Sequence, residues 1–317
     1  MQKQTDNIYP YVAGTDATTV FSLWEATLGQ TWPISFPRFQ QILATPDAQH
    51  FVARENGQLV GFVATSRSQR QGNWTGHFML LLVDPAWQNQ GFGSALHEIA
   101  LQHLRSAHVL VIQLGGLVPR FWCGAPDNLT STHAFFRARG WELSETVYDL
   151  SQDLRQYTTL PAIYQRIATQ GITLNVATQA DLADVLSFEA REFPNWLMHY
   201  ERCGRLGDYQ DILLAREQDG QVVGALILYT AQSHAERTDL IWQALVGEDA
   251  GALGAVGVAA AEQGRGIGIA LVARASDLLK ERGVGVCVID WVEKTDFYAR
   301  LGYTKWRAYH PEWRDLS

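Results

Sequence analysis

The chain has 317 residues, of which 47% are hydrophobic and 18% are charged, a balance typical of a protein with a substantial core and not of a disordered chain. Its formal net charge of −8 argues against nucleic acid as a partner, because an acidic surface repels the phosphate backbone. The three cysteines are far apart and the nine histidines form no metal-binding pattern, so we expect no metal.

The same features predict where the chain resides. Its first ten residues, MQKQTDNIYP, lack the apolar segment of a signal peptide, and no run approaches the roughly 18 apolar residues of a membrane span. Cysteines without a pairing pattern are typical of reduced thiols. We therefore expect a cytoplasmic protein without a membrane partner, present as a monomer or a weak homodimer.

The first half gives a clear series of predicted elements. A strand and a helix pair with Trp32 precede HFVARENGQLVGFVATS (50–66), which is typical of a β-hairpin because two apolar runs flank an Asn-Gly turn. A strand then runs into the glycine-rich stretch VDPAWQNQGFGSAL, which begins at Val83 and leads into a long helix. Another strand, a loop (115–128) and the short helix of HAFFRARGWE (133–142) follow. We expect this loop, which contains Trp122, to pack between domains or to cover a pocket.

The second half repeats this series. A polar segment (151–170), interpreted as a linker, precedes ILLAREQDGQVVGALIL (212–228), which matches the first hairpin, and TDFYARLGYT (295–304) matches the last helix. VAAAEQGRGIGIAL matches the glycine-rich stretch, and its Gly266 stands at the position of Gly91, 175 residues later. Self-similarity over so long a period indicates a duplication, and we predict domains at 1–150 and 171–317.

Three interpretations of the repeated turn compete. A Walker A loop needs a lysine that reaches the phosphates, and no lysine follows these glycines. A Rossmann fingerprint opens its domain and has a third glycine, whereas this turn comes late in each half and lacks that glycine. The third interpretation is a strand–turn–helix unit with glutamine, then glycine three and five residues later: Gln88, Gly91 and Gly93, repeated as Gln263, Gly266 and Gly268.

This pattern resembles motif A of the GNAT superfamily of N-acetyltransferases, and FYARLGY (297–303) resembles its motif B. The resemblance covers nearly the whole chain as two tandem units. It implies an α/β (α+β) fold in which each unit has a mixed, mostly antiparallel sheet, flanked by helices, with a splayed strand pair at the acyl-CoA site. It also implies acetyl-CoA as co-substrate, its diphosphate held by backbone N–H groups and a helix N-terminus.

The resemblance further implies which residues contact the co-substrate. The splayed strands place Leu81 and Val83, and in the second half Val256 and Val258, along the pantetheine arm, although such side chains also suit a plain core strand. Arg265 is either a cation for the phosphates or a solvated loop residue. The full expected set is Val83, Gln88, Asn89, Gln90, Gly91, Phe92, Gly93 and Ser94, and in the second half Val256, Val258, Gln263, Gly264, Arg265, Gly266, Ile267 and Gly268.

The two halves differ at one motif B position. By the resemblance, Tyr298 gives a proton to the departing thiolate, whereas the first half has Phe136, which has no proton to give. We therefore expect the C-terminal domain to catalyse transfer and the N-terminal domain to bind acetyl-CoA. Asp290 ends the strand VGVCVIDW and is expected to accept a proton or to hold the amine, with a helix N-cap or an ion pair as the structural alternative. Glu293 and the pair Glu248–Asp249 are weaker candidates.

Aromatic residues suggest the acceptor. In the family, the loop after the first helix lines the acceptor site, which implies Phe193 and Trp196 here, with Trp291 next to Asp290. Aromatic faces with a carboxylate suit an amino sugar. The second half is also similar to GNAT domains attached to β-N-acetylglucosaminidases, which favours glucosamine, while polyamines, antibiotics, amino acids and peptide N-termini stay open.

Two other functions compete with this one. A non-catalytic acetyl-CoA sensor or interaction protein fits the loss of the tyrosine in one half. A tandem-GNAT aminoacyl transferase that uses charged tRNA is disfavoured by the net charge.

Overall fold

The computed structural model describes residues 6–70, 73–116, 119–142, 145–237 and 243–316. The chain forms two compact units. Unit 1 comprises Met1–Val147 with Ala308–Ser317, and unit 2 comprises Tyr148–Arg307. In the described part of the chain, no helix is both long and apolar enough to cross a membrane.

Unit 1 is built on one six-stranded sheet. Its strands are β1 (Ile8–Pro10), β2 (Gln49–Glu55), β3 (Gln58–Arg70), β4 (Asn73–Val83), β5 (Val111–Leu114) and, from the end of the chain, β14 (Trp313–Asp315). The short strand β6 (Ala125–Pro126) is not part of this sheet and pairs with the last strand of the second sheet, through Tyr309 and His310. The sheet has the order β1-β2-β3-β4-β5-β14, and only β4 and β5 pair in parallel. The helices are α1 (Ala13–Trp24), which continues as a π-helical turn (Glu25–Gly29), α2 (Phe36–Leu43), α3 (Phe92–Ser106) and α4 (Thr130–Arg137).

Local chemistry explains several of these elements. The β2–β3 hairpin turns at Asn56 and Gly57, both with positive φ (51° and 81°), as a two-residue type I′ turn requires. The Ser35 hydroxyl caps α2 by accepting a hydrogen bond from the Arg38 N–H at 3.4 Å. Because β2 and β3 pair on either side of the turn at Asn56 and Gly57, the predicted hairpin is confirmed.

Unit 2 has a second mixed sheet. Its strands are β7 (Val147–Asp153), β8 (Thr173–Val176), β9 (Ile212–Arg216), β10 (Val222–Tyr229), β11 (Ala250–Val258), β12 (Val286–Val292) and β13 (Thr304–His310). They follow the order β8-β9-β10-β11-β12-β7-β13; β11 and β12 pair in parallel, and the pairs β8–β9, β9–β10, β10–β11 and β12–β7 are antiparallel. The helices are α5 (Pro161–Ala168), α6 (Leu182–Glu192), α7 (Leu197–Leu206), α8 (Gln243–Val246), α9 (Ile267–Glu281) and α10 (Thr295–Ala299).

One close contact shows that the two units repeat at atomic detail. A Cβ added at Gly61 of β3 would lie 2.8 Å from Leu96 Cδ1 of α3, and a Cβ added at Gly224 of β10 would lie 2.9 Å from Leu271 Cδ1 of α9. Both leucines are fully buried. The long helix of each unit thus rests on a strand that has no side chain at the point of contact. The predicted mixed, mostly antiparallel sheets flanked by helices are confirmed.

The compact units differ from the predicted boundaries of 1–150, 151–170 and 171–317. Strand β7 lies between β12 and β13, so the start of the predicted linker is a central strand of unit 2, and residues 161–168 form α5. Strand β14, from the end of the chain, completes the sheet of unit 1 beside β5. Each sheet therefore contains a strand from the other half of the sequence, a long-range pairing that no local pattern reveals.

Candidate functional site

The glycine-rich turns have the same backbone conformation in both units. Gly91 (φ 94°) and Gly266 (φ 96°) are the left-handed N-caps of α3 and α9, and two residues earlier Asn89 (φ 58°) and Gly264 (φ 81°) are left-handed as well. Among the described residues, no side chain caps either helix, so the N–H groups of the first turn are left for a ligand. Such a concave turn at a helix N-terminus fits a diphosphate.

The predicted glutamines tie each turn to its strand. Gln88 Nε2 donates to the Val83 carbonyl oxygen at 3.2 Å, and Gln263 Nε2 donates to the Val258 carbonyl oxygen at 3.3 Å. The same bond therefore fixes the entry to both turns. The glutamine side chains therefore support the turn, and an anion held there would be bound by backbone N–H groups.

The second glycine of each turn is required for packing. A Cβ added at Gly93 would lie 3.4 Å from the Phe135 ring, and one added at Gly268 would lie 3.2 Å from the Phe297 ring. The glycine thus lets the short helix α4 or α10 approach the long helix closely. This packing reason adds to the expected one, that a side chain there would push an anion away.

The remaining predicted turn residues contribute backbone groups more than side chains. Phe92 and Ile267 are buried in the cores of their units, and the Gln90 side chain donates to the Ala86 carbonyl oxygen at 2.9 Å. Their N–H groups, at the start of each helix, are the parts available to a ligand.

A splayed strand pair lies beside each turn. The parallel pairing of β4 with β5 ends at Phe78 and Leu114, while β4 continues to Val83. In the same way β11 and β12 pair only as far as Ala252 and Val288, while β11 continues to Val258. The last residues of β4 and β11 therefore have no pairing with β5 and β12, and this edge of each longer strand is open. The residues predicted to contact the co-substrate lie on these open ends: Leu81, Val83, Val256 and Val258.

In unit 1 this opening is a cleft of about 790 Å³. Its lining includes predicted residues from the strand and the turn, namely Leu81, Val83, Gln88, Asn89, Gly91, Gly93 and Ser94. Trp122 of the loop 115–128 also lines it and stacks on Trp24 at 5.3 Å between ring centroids. Phe136, at the motif B position of this unit, also lines the cleft.

Arg139 is a cleft residue that the sequence patterns did not reveal. Its guanidinium donates to Ser94 Oγ at 2.6 Å and to the Phe135 carbonyl oxygen at 2.8 Å, and it lies 3.6 Å from the centroid of the Phe135 ring. Burial lowers the pKa of Arg139 from its ordinary value, yet an arginine stays charged at any physiological pH. A cation therefore stands beside the first turn of α3, where an anion would bind.

In unit 2 the charges around the turn are arranged differently. The Arg265 guanidinium forms ion pairs with both Glu217 and Glu262, which together raise its pKa, so its charge is already paired with two carboxylates. Arg166 of α5 crosses the turn and donates to the Gly264 carbonyl oxygen at 2.7 Å. The segment predicted as a linker thus supplies a second cation, which sequence reasoning missed because α5 is about 100 positions from the turn.

The predicted chemistry of unit 2 depends on two residues, Tyr298 and Asp290. Burial, reinforced by the negative charge of Asp290, raises the pKa of Tyr298 to about 12, so the phenol keeps its proton at neutral pH. The register of β12 with β7 shifts between Ile289 and Val292, and Trp291 within this bulge has a φ of 52°. Bulges and strained residues of this kind are frequent at functional sites, because they redirect side chains.

The aromatic residues Phe193 and Trp196, predicted to line the acceptor site, pack against β11, the longer strand of the splayed pair. Phe193 and Trp196 stack at 4.9 Å between ring centroids with an interplanar angle of 18°. Phe193 covers Gly257 of β11 so closely that an added Cβ there would lie 2.4 Å from its ring. The structure thus places these aromatics against the strand that opens the site.

Glu189 and Tyr200 are two further residues of unit 2 that sequence reasoning missed. Both are fully buried, on α6 and α7, and the Tyr200 hydroxyl donates to the carbonyl oxygen of Ala255 in β11 at 2.8 Å. The signal was present in the helical period, since Val185, Phe188 and Glu189 share the buried face of α6. In the parts of the chain that are described, no cluster of His, Cys, Asp or Glu has the geometry of a metal site.

The family follows from a comparison of sequences. A model of the acetyltransferase (GNAT) family matches residues 17–141 and 180–303, which together are well over half of the chain. The chain belongs to the GNAT family. The tandem GNAT prediction is confirmed, and a search of curated proteins found no match.

Solved structures similar to this GNAT protein agree with the tandem arrangement. A fungal multidomain GH3 β-N-acetylglucosaminidase, described as having a GCN5-related glucosamine N-acetyltransferase region, matches with a TM-score of 0.93 and 38% identity over 97% of this chain and 38% of that chain. This chain therefore spans little more than a third of that protein.

Two more distant matches show the fold alone. A GCN5-related N-acetyltransferase from Sphaerobacter thermophilus is 19% identical, with a TM-score of 0.69 over 97% of this chain and 95% of that one. A tandem GNAT protein from the clavulanic acid biosynthesis pathway is 17% identical, with a TM-score of 0.66 over 98% of both chains.

Proposed function

We propose that the chain is an acetyl-CoA-dependent N-acetyltransferase that acetylates the primary amine of a small acceptor, an amino sugar such as glucosamine. The observation that carries this proposal is the arrangement in unit 2, where a diphosphate-type turn and an open strand edge accompany a protonated phenol, Tyr298, under the influence of Asp290. The glucosamine N-acetyltransferase region of the fungal match supports the choice of acceptor.

Each part of unit 2 has a task in this reaction. The turn at Gly264–Gly268 and the N-terminus of α9 hold the diphosphate, and the open edge of β11 offers main-chain groups to the pantetheine arm. The neutral amine attacks the thioester carbon, a C–N bond forms and the C–S bond breaks. The Tyr298 phenol gives its proton to the leaving thiolate, and the proton lost by the amine leaves through Asp290 or water. Holding the amine and the thioester together lowers the activation free energy by an amount on the order of several kcal/mol.

In this proposal the acceptor binds between two groups of residues. One is Asp290 and Trp291 in the bulge of β12, and the other is the stacked pair Phe193 and Trp196. An aromatic face suits the apolar face of a sugar ring, and a carboxylate suits its ammonium group. Asp249, a weaker candidate for the base, pairs with Arg155 at 2.6 Å.

Unit 1 favours a second role. Its cleft has the turn, the open strand and a cation at Arg139, but Phe136 stands where unit 2 has Tyr298. We infer that unit 1 binds acetyl-CoA or coenzyme A without transferring the acetyl group. If unit 2 behaves in the same way, the chain is an acetyl-CoA sensor or interaction protein and not an enzyme.

The biological setting is also a proposal. A small-molecule acceptor, a cytoplasmic location, a monomer or weak homodimer, and the absence of nucleic-acid and membrane partners agree with the net charge of −8 and with three buried free cysteines.

Acetyl transfer by the full chain tests the proposal. Acetyl-CoA is supplied with glucosamine, a polyamine, an aminoglycoside, an amino acid or a short peptide, and thiol release is followed. We expect glucosamine to be acetylated, and Tyr298→Phe to lower kcat by about 100-fold while acetyl-CoA affinity by calorimetry changes less than about twofold. Tyr9→Phe, which removes an exposed hydroxyl, is the control. Acetyl-CoA binding without turnover of any amine would instead support the sensor.

A further inference from the structure

Glu189 is a fully buried carboxyl group on α6 that packing does not explain. Among the described residues, neither of its oxygens has a hydrogen bond of ordinary geometry, and its neighbours on the buried face of the helix are Val185 and Phe188. A buried carboxyl group without a partner lowers the stability of a fold. Tyr200, which influences Glu189 electrostatically, hydrogen-bonds to the strand that opens the proposed site, and this indicates a functional role for the pair.

The neighbouring phenol determines what Glu189 can do. The Tyr200 hydroxyl donates its single proton to the Ala255 carbonyl oxygen at 2.8 Å. Its oxygen can then only accept a hydrogen bond, so an interaction with Glu189 requires the proton of Glu189. Burial raises the pKa of Glu189 to about 8, an effect that Tyr200 only partly offsets. At neutral pH the carboxyl group therefore holds the proton that the phenol oxygen can accept.

Ala255 is a strained residue at the mouth of the splayed strands. Its φ is 49°, and the register of β11 with β10 passes from Gly254 to Gly257, so that Ala255 and Val256 form a bulge without a partner in that register. The pairing of β11 with β12 has already ended at Ala252. Tyr200 thus holds the carbonyl group of a peptide that neither neighbouring strand fixes.

Peptide planarity carries this hold to the next residue. The Ala255 carbonyl and the Val256 N–H belong to one rigid plane and point in opposite directions, so a bond that fixes the oxygen also fixes the N–H. Donation to the carbonyl oxygen also polarises the N–H, which strengthens it as a donor. A preorganised backbone N–H is the kind of group that stabilises negative charge on a thioester oxygen.

We propose that Tyr200, supported by Glu189, is a positioning residue of the acetyl-transfer site: it holds the Ala255 carbonyl and thereby directs the Val256 N–H at the thioester oxygen. In this proposal Glu189, whose oxygens have no hydrogen bond of ordinary geometry in the structure, moves within reach of the Tyr200 oxygen and donates to it, which keeps the Tyr200 proton on Ala255. This inference rests on the proposed function of unit 2 and deepens it.

The chain of hydrogen bonds has one proton too few once Glu189 ionises. A carboxylate is a stronger acceptor than a carbonyl group, so it takes the Tyr200 proton and releases Ala255. The titratable groups that face this pair are Cys203 on α7 and Tyr229 on β10, with Arg237 and Asp211 behind Cys203. Burial raises the pKa of Cys203 to about 11 and that of Tyr200 well above its ordinary value. A change near pH 8 therefore reports Glu189, and kcat is expected to fall as the pH rises through it.

Three variants of the full chain test the inference, with acetyl-CoA and glucosamine between pH 6.5 and 9.5. We expect Tyr200→Phe to lower kcat by about tenfold, less than the loss of an oxyanion donor itself, with both KM values within about twofold. Glu189→Gln keeps a donor for Tyr200, so kcat at pH 7 stays within about twofold and the fall near pH 8 disappears. The double variant is no slower than Tyr200→Phe alone, because both residues act in one chain.

A measurement without turnover separates this inference from the proposed function. The backbone amide resonance of Val256, in valine-labelled protein, is expected to titrate near pH 8 in the wild type and not in Glu189→Gln. If it titrates but no amine is acetylated, the hydrogen-bonded chain is supported and the proposed function fails. The inference is overturned if acetylation occurs and Tyr200→Phe keeps the wild-type kcat. It is also overturned if neither Tyr200→Phe nor Glu189→Gln changes the pH titration of the Val256 amide resonance.

Discussion

The two glycine-rich turns agree in their backbone and differ in their side chains. Left-handed residues occupy matching positions in both, and the same glutamine-to-strand hydrogen bond precedes both. Around this shared backbone, Ser94 and Arg139 of unit 1 are replaced by Ile269 and Leu301 in the repeat. The part of the site made by the main chain has been retained through the duplication, whereas the charged and proton-donating parts have diverged.

This difference suggests a division of work. Backbone N–H groups at a helix N-terminus bind a phosphate whatever the side chains are, so both units are suited to hold acetyl-CoA. Proton transfer depends on particular side chains. At the motif B position unit 1 has Phe136, which has no proton to give, whereas unit 2 has Tyr298. The predictions that follow test whether the two turns are equivalent and where they cease to be so.

The largest effect is expected from removing one turn at a time. Valine at Gly266 or at Gly91 is strained at a φ near 95°, and at Gly266 its Cβ would lie 2.8 Å from Arg166 Nε. We expect each variant to weaken acetyl-CoA binding in its own unit by at least about tenfold. Calorimetry should then show two sites in the wild type and one in each variant.

A matched control separates backbone strain from loss of the site. Gly283 also has a positive φ (86°), but it lies after the end of α9 and an added Cβ there meets open space. Gly283→Val should therefore lower the stability of unit 2 without changing acetyl-CoA binding. Unchanged affinity in both Gly91→Val and Gly266→Val would contradict the assignment of the turns.

A smaller effect is expected from the cations, and it should differ between the units. Arg139 lines the cleft and has no carboxylate among its hydrogen-bond partners in the described part of the chain, whereas Arg265 is paired with Glu217 and Glu262. We expect Arg139→Leu, measured with the turn of unit 2 blocked by Gly266→Val, to weaken acetyl-CoA binding about three- to tenfold.

The corresponding variant of unit 2 is Arg265→Gln, which introduces the residue that unit 1 has at the equivalent position, Gln90. Measured with Gly91→Val, it should change the affinity less than about twofold, because its charge is already paired. Equal losses in both variants would show that Arg265 leaves its carboxylates for the phosphates, and the contrast between the units would then lie elsewhere.

How far the sequence predicted this site depends on the range of each interaction. The turn, the hairpin and the motif B tyrosine are local, and their residue spacing was sufficient to predict them. Arg139 and Arg166 reach their turns across tertiary contacts, so no local pattern marked them. The position of β7 between β12 and β13 is likewise a pairing of distant segments, which is why the predicted linker begins as a central strand.

Burial is the second limit of the sequence. Glu189 reads as an ordinary helical glutamate, because most glutamates are exposed, and only the packing of α6 on the sheet shows that this one is not. The apolar spacing of its neighbours contained the information, but without a tertiary structure it does not distinguish a buried carboxyl group from one at the edge of the buried face.

The pH dependence of stability should distinguish the two units, with opposite signs. In unit 2 the pKa of Glu189 is raised by burial to about 8, so the folded state binds its proton more tightly than the unfolded state, and stability falls as the pH rises from about 4.5 to about 8. In unit 1 burial, with nearby arginines, lowers the pKa of His97 to about 3, and its Nε2 accepts a hydrogen bond from Trp141 at 3.0 Å. That unit therefore loses stability as the pH falls below about 6.5.

Two substitutions measure these opposite effects by calorimetric or urea unfolding from pH 4 to 9. Glu189→Gln should stabilise unit 2 by about 2 to 4 kcal/mol at pH 9 and by little at pH 4, and the exposed Glu201→Gln should do neither. His97→Gln, which keeps an acceptor for Trp141, should stabilise unit 1 by about 1 to 3 kcal/mol at pH 4.5 and by little at pH 9. A stabilisation by Glu189→Gln that is the same at both ends of the range would mean that the carboxyl group is not held protonated by burial, and the contrast between a unit sensitive to alkali and a unit sensitive to acid would not hold.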